Sequence, residues 1–119
     1  MAQLTLPIGC KLLIGAPARS FEKDKLLQLQ AIVSAVPAIR AAYVPMMFAE
    51  GFFSPPKQVL FIVVDDAARA SLSRIVQAIE ERIRGFWPAG DWIDIFPAFN
   101  DSEILRDVAQ TGCILHSRE

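Results

Sequence analysis

The order of the segments that proline and glycine separate constrains the fold of this 119-residue chain more than any other feature of the sequence. Short apolar runs alternate with longer stretches in which apolar residues recur every three or four positions, which is the spacing of an amphipathic helix. The pattern predicts strand, helix, strand, strand, helix, strand over Lys11–Ile14, Glu22–Val36, Ala41–Phe48, Gln58–Asp65, Ser71–Phe86 and Trp92–Phe99. This order is typical of an α+β domain.

Local signals set the ends of these segments and add two elements after them. Ser20 is a predicted N-cap of the first helix, and Pro37 ends that helix because its ring clashes with a preceding helical turn. A third helix is predicted over Asp101–Gln110, with Gly112 in the left-handed conformation that closes many helices. Cys113–His116 then forms a short last strand.

Prolines also predict where the strands lie in the sheet. Pro45 lies in the second predicted strand and Pro97 in the fourth, and a proline has no N–H to donate to a ladder, so both strands are expected at edges. Gln58–Val64 is apolar almost throughout, which favours a central strand buried on both faces. The arrangement predicted is a ferredoxin-like β-α-β-β-α-β sandwich with its first and third strands in the centre, extended by the third helix and the last strand.

Composition predicts one domain over residues 1–119 and leaves two interpretations of its apolar content. Apolar residues make up 53% of the chain, somewhat above the roughly 45–50% of an average soluble domain. Either the core is well filled, or part of the surface is apolar and is covered by a second copy of the chain.

Charge and cysteine content narrow the setting and the partners. The formal charge is -1 with acids and bases interspersed, so we expect no nucleic-acid partner. No apolar run approaches the roughly 20 residues of a membrane span, and the N-terminus lacks the pattern of a signal peptide. Cys10 and Cys113 are predicted to be reduced thiols. We therefore expect a cytoplasmic protein without a membrane partner.

Several of these segments together resemble the C-terminal domain of the enhanced-serine-sensitivity protein family. The resemblance begins at Ile14-Gly15-Ala16-Pro17 and continues in Ile39–Val44, which runs from a helix end into a strand. It includes the proline-flanked apolar strand Pro55–Val64 and the Gly-Asp-Trp-Ile-Asp-Ile segment over Gly90–Ile95, and it covers nearly the whole chain. It departs at Gly112–His116, where the family often has a Pro-Phe-Tyr segment. The resemblance implies an α+β fold in a bacterial cytoplasmic protein and supplies no catalytic residues.

Few residues suggest catalysis or metal binding. His116 is the only histidine, and with Cys113 it offers two ligands where a zinc site needs three or four. No glycine-rich phosphate loop is present, and nucleophilic catalysis through a histidine lacks its partners. Asp65 and Asp66 follow the most apolar strand, where they either bind Mg²⁺ or share a proton, or cap the next helix. We predict a protein that is not an enzyme and carries no cofactor or metal.

Aromatic and methionine side chains near the loop after Phe48 suggest a contact surface. Phe52 and Phe53 lie in a loop beside Gly51, where apolar rings have no obvious strand partner, although most aromatic residues belong to a core. We predict that Met46, Met47, Phe52 and Phe53 take part in self-association or bind a partner protein.

Two functions remain open from the sequence. The first is a non-enzymatic protein-interaction or regulatory module that forms a homodimer through the edge strand and the Met46–Phe53 region. The second is an amino-acid sensor, suggested by analogy with other ferredoxin-like domains and by the serine-related name of the family. In the second case Asp65, Asp66 and Arg69 would bind the α-amino acid.

Overall fold

The structure, a computed structural model, describes residues 12–16, 22–49 and 57–117. The chain combines three helices with strands that pair mainly antiparallel, which confirms the α+β class. The strands are β1 (Leu12–Gly15), β2 (Ile39–Tyr43), β3 (Met46–Ala49), β4 (Lys57–Gln58), β5 (Leu60–Val64), β6 (Ile95–Ala98) and β7 (Ile114–Ser117). The helices are α1 (Lys23–Ser34), α2 (Leu72–Phe86) and α3 (Leu105–Gln110), and a 3₁₀ helix over Asp66–Ser71 leads into α2.

One kinked hairpin connects the two sheets of the described residues. β2 pairs with β5 in a four-stranded sheet of order β6-β5-β2-β7, and β3 pairs with β4 in a three-stranded sheet of order β1-β3-β4. Tyr43 lies opposite Phe61 and Met46 lies opposite Gln58, so the same register continues through the kink. At the kink the Val59 N–H donates to the Pro45 carbonyl over 3.0 Å. The two sheets are therefore joined by one long antiparallel pair of strands, which contributes β2 and β5 to one sheet and β3 and β4 to the other.

The four-stranded sheet is covered on both faces. α1 and α2 pack on one face with Leu60, Ile62 and Val64 of β5. Phe61 and Val63 point to the opposite face and join a second cluster with residues of β1, β3 and α3. All five residues of β5 are buried, which confirms the prediction of a central strand. Side chains along a strand alternate between the two faces of the sheet, and both faces are covered here.

α1 and α2 follow the predicted patterns to within about two residues at each end, whereas α3 begins at Leu105, one helical turn after its predicted start at Asp101. Glu22 occupies the N-cap position of α1 without a side-chain cap hydrogen bond, and the predicted cap Ser20 lies outside the described residues. Gly112 has φ +72°, as predicted for a left-handed residue after α3. None of the helices in the described ranges is both long and apolar enough to cross a membrane.

The strand order differs from the ferredoxin-like prediction. The expected edge strand Ala41–Phe48 is two strands, β2 and β3, and each lies between two neighbours in its sheet, so the prediction of an edge there is wrong. The physical reason is Pro45, which interrupts the ladder and bends the chain rather than ending the pairing. As a result β1 pairs with β3, outside the four-stranded sheet. Pro97 lies in the edge strand β6, as predicted.

Candidate functional site

The sheet topology gathers charged side chains at one end of the strands of the four-stranded sheet. β5 and β6 run parallel, so the residues after both strands emerge at the same end of the sheet. Asp65 and Asp66 follow β5, and Phe99 and Asp101 follow β6. We call this set, together with Arg40 and Arg69, the carboxyl-end cluster.

A register shift brings Arg40 to the same end of the sheet. β2 runs antiparallel to β5 and begins where β5 ends, with Ile39 opposite Val64 and Ala41 opposite Val63. Arg40 is the extra residue between these pairs, and such irregularities re-aim a side chain. Its Nη1 donates to Asp65 Oδ1 over 2.9 Å. Asp65 occupies the N-cap position of the 3₁₀ helix but makes no side-chain cap hydrogen bond, so its carboxylate pairs with Arg40 and does not cap the helix.

Arg69 is held from three sides. Its Nε and Nη2 donate to Asp66 Oδ1 over 3.1 and 2.8 Å, and Nη2 also lies 3.5 Å from Asp101 Oδ2. The guanidinium carbon lies 3.9 Å from the centroid of the Phe99 ring, a cation–π contact. The 3₁₀ helix and the loop before α3 are thus connected through one side chain.

The cluster is polar and open to solvent. Arg40, Arg69 and Asp66 are half exposed or more, so their ion pairs are screened and contribute little to stability. An open cleft of about 740 Å³ lies beside the loop that follows Phe99. Most of the residues around it are polar or charged, but the surface that they present to the cleft is about equally polar and apolar. The lining residues are Tyr43, Asn100, Ser102, Glu103, Leu105, Arg106, Asp107 and Ala109.

The structure therefore brings together all three residues predicted to bind a ligand. Asp65, Asp66 and Arg69 lie in one cluster, although Asp65 pairs with Arg40 and Asp66 with Arg69. Sequence reasoning missed Arg40, Phe99 and Asp101, because their proximity depends on the parallel pairing of β5 with β6 and on the register shift. Among residues 12–16, 22–49 and 57–117, no group of three or more His, Cys, Asp or Glu residues is arranged to hold a metal ion.

A model of the SseB protein C-terminal domain matches residues 6–111 of the chain. The chain belongs to this family. The match confirms the resemblance to the enhanced-serine-sensitivity proteins that the sequence segments indicate. Neither a curated protein nor a solved structure gives a significant match.

The predicted contact segment of this SseB C-terminal domain is only partly described. Met47 is fully buried in the second cluster, so its side chain belongs to the core and presents no surface to a partner. Met46 is partly exposed, while Phe52 and Phe53 lie outside the described residues. A contact role for the loop stays a prediction.

Large apolar side chains are exposed elsewhere on the SseB C-terminal domain. Of the aromatic residues near the end of α2, Trp87 is buried beneath the Lys25 ammonium, whereas Phe86 and Trp92 are exposed. Arg84 lies over the Trp92 ring, 6.0 Å from its centroid. The large hydrophobic residues exposed on the described part of the chain are Leu13, Leu27, Phe86, Trp92 and Ile114. Their spacing alone did not distinguish them from core residues, because each lies in or beside an apolar segment.

Proposed function

We propose that this domain is a non-enzymatic protein-interaction or regulatory module that acts as a homodimer. The observation that carries the proposal is the exposure of large apolar side chains on secondary structure, with Leu13 on β1 and Ile114 on β7 each at least half exposed. Single exposed apolar residues are common on monomers, whereas larger exposed apolar areas mark interaction surfaces. The apolar content of 53% supports the same interpretation.

The charged groups of the carboxyl-end cluster favour a structural role over a catalytic one. Arg40 pairs with Asp65, and Arg69 pairs with Asp66 and lies near Asp101, so the cluster largely neutralises itself. We therefore assign no reaction and no cofactor to it. The near-zero formal charge supports a partner other than nucleic acid, and the family membership is the basis for placing the domain in a bacterial cytoplasm.

The homodimer is tested by the mass of the purified chain in solution. We expect sedimentation equilibrium to give twice the 13.2 kDa of the chain at micromolar concentration, with dissociation on dilution. The proposal is contradicted if the chain has the mass of a monomer at all concentrations up to about a millimolar. A dissociation constant of that size corresponds to a binding free energy of only about -4.1 kcal/mol.

A small-ligand sensor is the second candidate, and the geometry of Arg69 favours it specifically. An α-amino acid carries a carboxylate, which a guanidinium binds through two parallel hydrogen bonds. It also carries an ammonium group, which donates hydrogen bonds to carboxylates. Arg69, Asp66 and Asp101 offer these groups within one cluster. Binding would require Arg69 to exchange its contact with Asp66 for the ligand carboxylate, since the Asp66 oxygen already accepts from two of its nitrogens.

Thermal denaturation with L-serine tests the sensor. A ligand at one hundred times its dissociation constant adds about 2.7 kcal/mol to the free energy of unfolding, which raises the melting temperature visibly. We expect Arg69→Ala to abolish such a shift and Arg74→Ala to preserve it, because Arg74 is exposed on α2 outside the cluster. No shift with L-serine or with a panel of the other amino acids would rule this candidate out.

A further inference from the structure

One segment of the chain crosses a whole face of the four-stranded sheet. β6 and β7 are the outer strands of this sheet, and α3 with its flanking loops connects them. Val108 of α3 packs in the second cluster with Phe61 and Val63, on the face opposite α1 and α2. Residues 99–113 therefore lie across this face, and we call them the strap.

The strap has few buried contacts along its length. Of the six residues of α3 only Val108 is buried, and Ile104 at the N-cap makes no side-chain cap hydrogen bond. An isolated helix needs roughly 12–15 residues to be even marginally stable in water, so α3 depends on its packing. Two open clefts border it, one of about 740 Å³ shared with Tyr43 of β2 and one of about 510 Å³ shared with β1. Such a sparsely packed segment is expected to open at a lower free energy than the core.

The two ends of the strap are held in different ways. At the β7 end the Val44 N–H donates to the Cys113 carbonyl over 2.9 Å, a backbone contact beside the pairing of β2 with β7. At the β6 end Arg69 reaches over from the 3₁₀ helix. Its guanidinium carbon lies 3.9 Å from the Phe99 ring centroid, and its Nη2 lies 3.5 Å from Asp101 Oδ2. The Arg69 side chain is half exposed, so these contacts are weak enough to break while the sheet stays intact.

We propose that the strap opens from the sheet while the rest of the domain stays folded, and that Arg69 is the latch that sets how often it opens. Opening exposes Val108 and the part of the second cluster that it covers, an apolar surface that the closed domain conceals. A carboxylate that displaced Asp101 from Arg69 would favour the open strap, because it would remove a contact made only in the closed state. The inference does not depend on the homodimer.

Native-state hydrogen–deuterium exchange of the whole chain, followed by NMR, tests the strap and its latch. The Val108 N–H donates to the Ile104 carbonyl within the strap, and Ile79 lies in the middle of α2. After correction for intrinsic rates, we expect the Val108 amide to exchange at least about a hundredfold faster than the Ile79 amide. Arg69→Ala is expected to raise the Val108 rate about two- to tenfold and to leave the Ile79 rate unchanged, since it removes one exposed cation–π contact and one exposed ion pair.

Two further variants keep the test decisive if Arg69→Ala also lowers the stability of the whole domain. Asp101→Asn removes the ion pair from the strap side and leaves the contact of Arg69 with Asp66, so it is expected to raise the ratio of the Val108 rate to the Ile79 rate by a smaller factor. Arg74→Ala, at an exposed residue of α2, is expected to leave that ratio unchanged. Equal protection of the Val108 and Ile79 amides in the wild-type chain overturns the strap. A ratio that neither Arg69→Ala nor Asp101→Asn changes overturns Arg69 as its latch.

Discussion

Replacing Phe61 with alanine is expected to lower the free energy of unfolding by about 3–5 kcal/mol, the largest effect predicted for a single substitution in this domain. Phe61 lies on the central strand β5 and has no exposed surface. Its ring stacks on Phe96 with centroids 5.5 Å apart and contacts Tyr43 edge to face at 6.4 Å. Its removal therefore leaves a cavity between β2, β5 and β6 and also removes two aromatic contacts.

Phe86→Ala is the matched control for this loss. Phe86 is 61% exposed at the end of α2, and surface substitutions of this kind usually change stability by no more than about 0.5 kcal/mol. Urea denaturation followed by circular dichroism measures both free energies. Equal and small effects of the two substitutions would show that Phe61 does not lie in a packed interior, and the second cluster would have to be abandoned.

Replacing Leu29 with alanine is expected to lower the free energy of unfolding by about 2–5 kcal/mol. Leu29 is fully buried in the core cluster that includes Leu60, Ile62 and Val64, between α1 and the four-stranded sheet. Alanine is the better helix former, so any destabilisation comes from lost packing and not from helix propensity. The effect reports on the helix-covered face of the sheet, as Phe61→Ala reports on the other face.

Leu27→Ala lies two positions away on the same helix and provides the control. Leu27 is exposed, so its substitution is expected to change stability by no more than about 0.5 kcal/mol. If the Leu27 variant were the less stable one, α1 would be rotated relative to the sheet. The comparison therefore tests the orientation of the helix as well as the depth of the core.

Much of the fold was predictable because the elements obey local rules. Periodicity identified both long helices, and the apolar run of β5 indicated burial on both faces before any topology was known. The arrangement of the strands was not predictable in the same way. The effect of Pro45 depends on whether the chain ends its pairing or bends at that residue. The Val59 N–H donates to the Pro45 carbonyl, so the pairing continues through the bend. Nothing local to Pro45 distinguishes these outcomes.

The candidate site was predictable to a similar extent. Asp65, Asp66 and Arg69 are neighbours in sequence, so their grouping required only that β5 end before them. Arg40 and Asp101 approach them through pairing and register, which are long-range properties. The burial of Met47 illustrates the same limit, because the alternation of side chains in β3 decides which methionine faces the core only once the register is known.

Sedimentation equilibrium of the wild-type chain beside Leu13→Lys tests the central claim most directly. We expect the wild-type chain to give twice the mass of one chain and the variant to approach the mass of one chain at the same concentration, with both folded by circular dichroism. A wild-type chain of single-chain mass would contradict the claim that this SseB C-terminal domain acts as a homodimer. A variant that stays dimeric would show that the two copies meet at a surface that does not include Leu13.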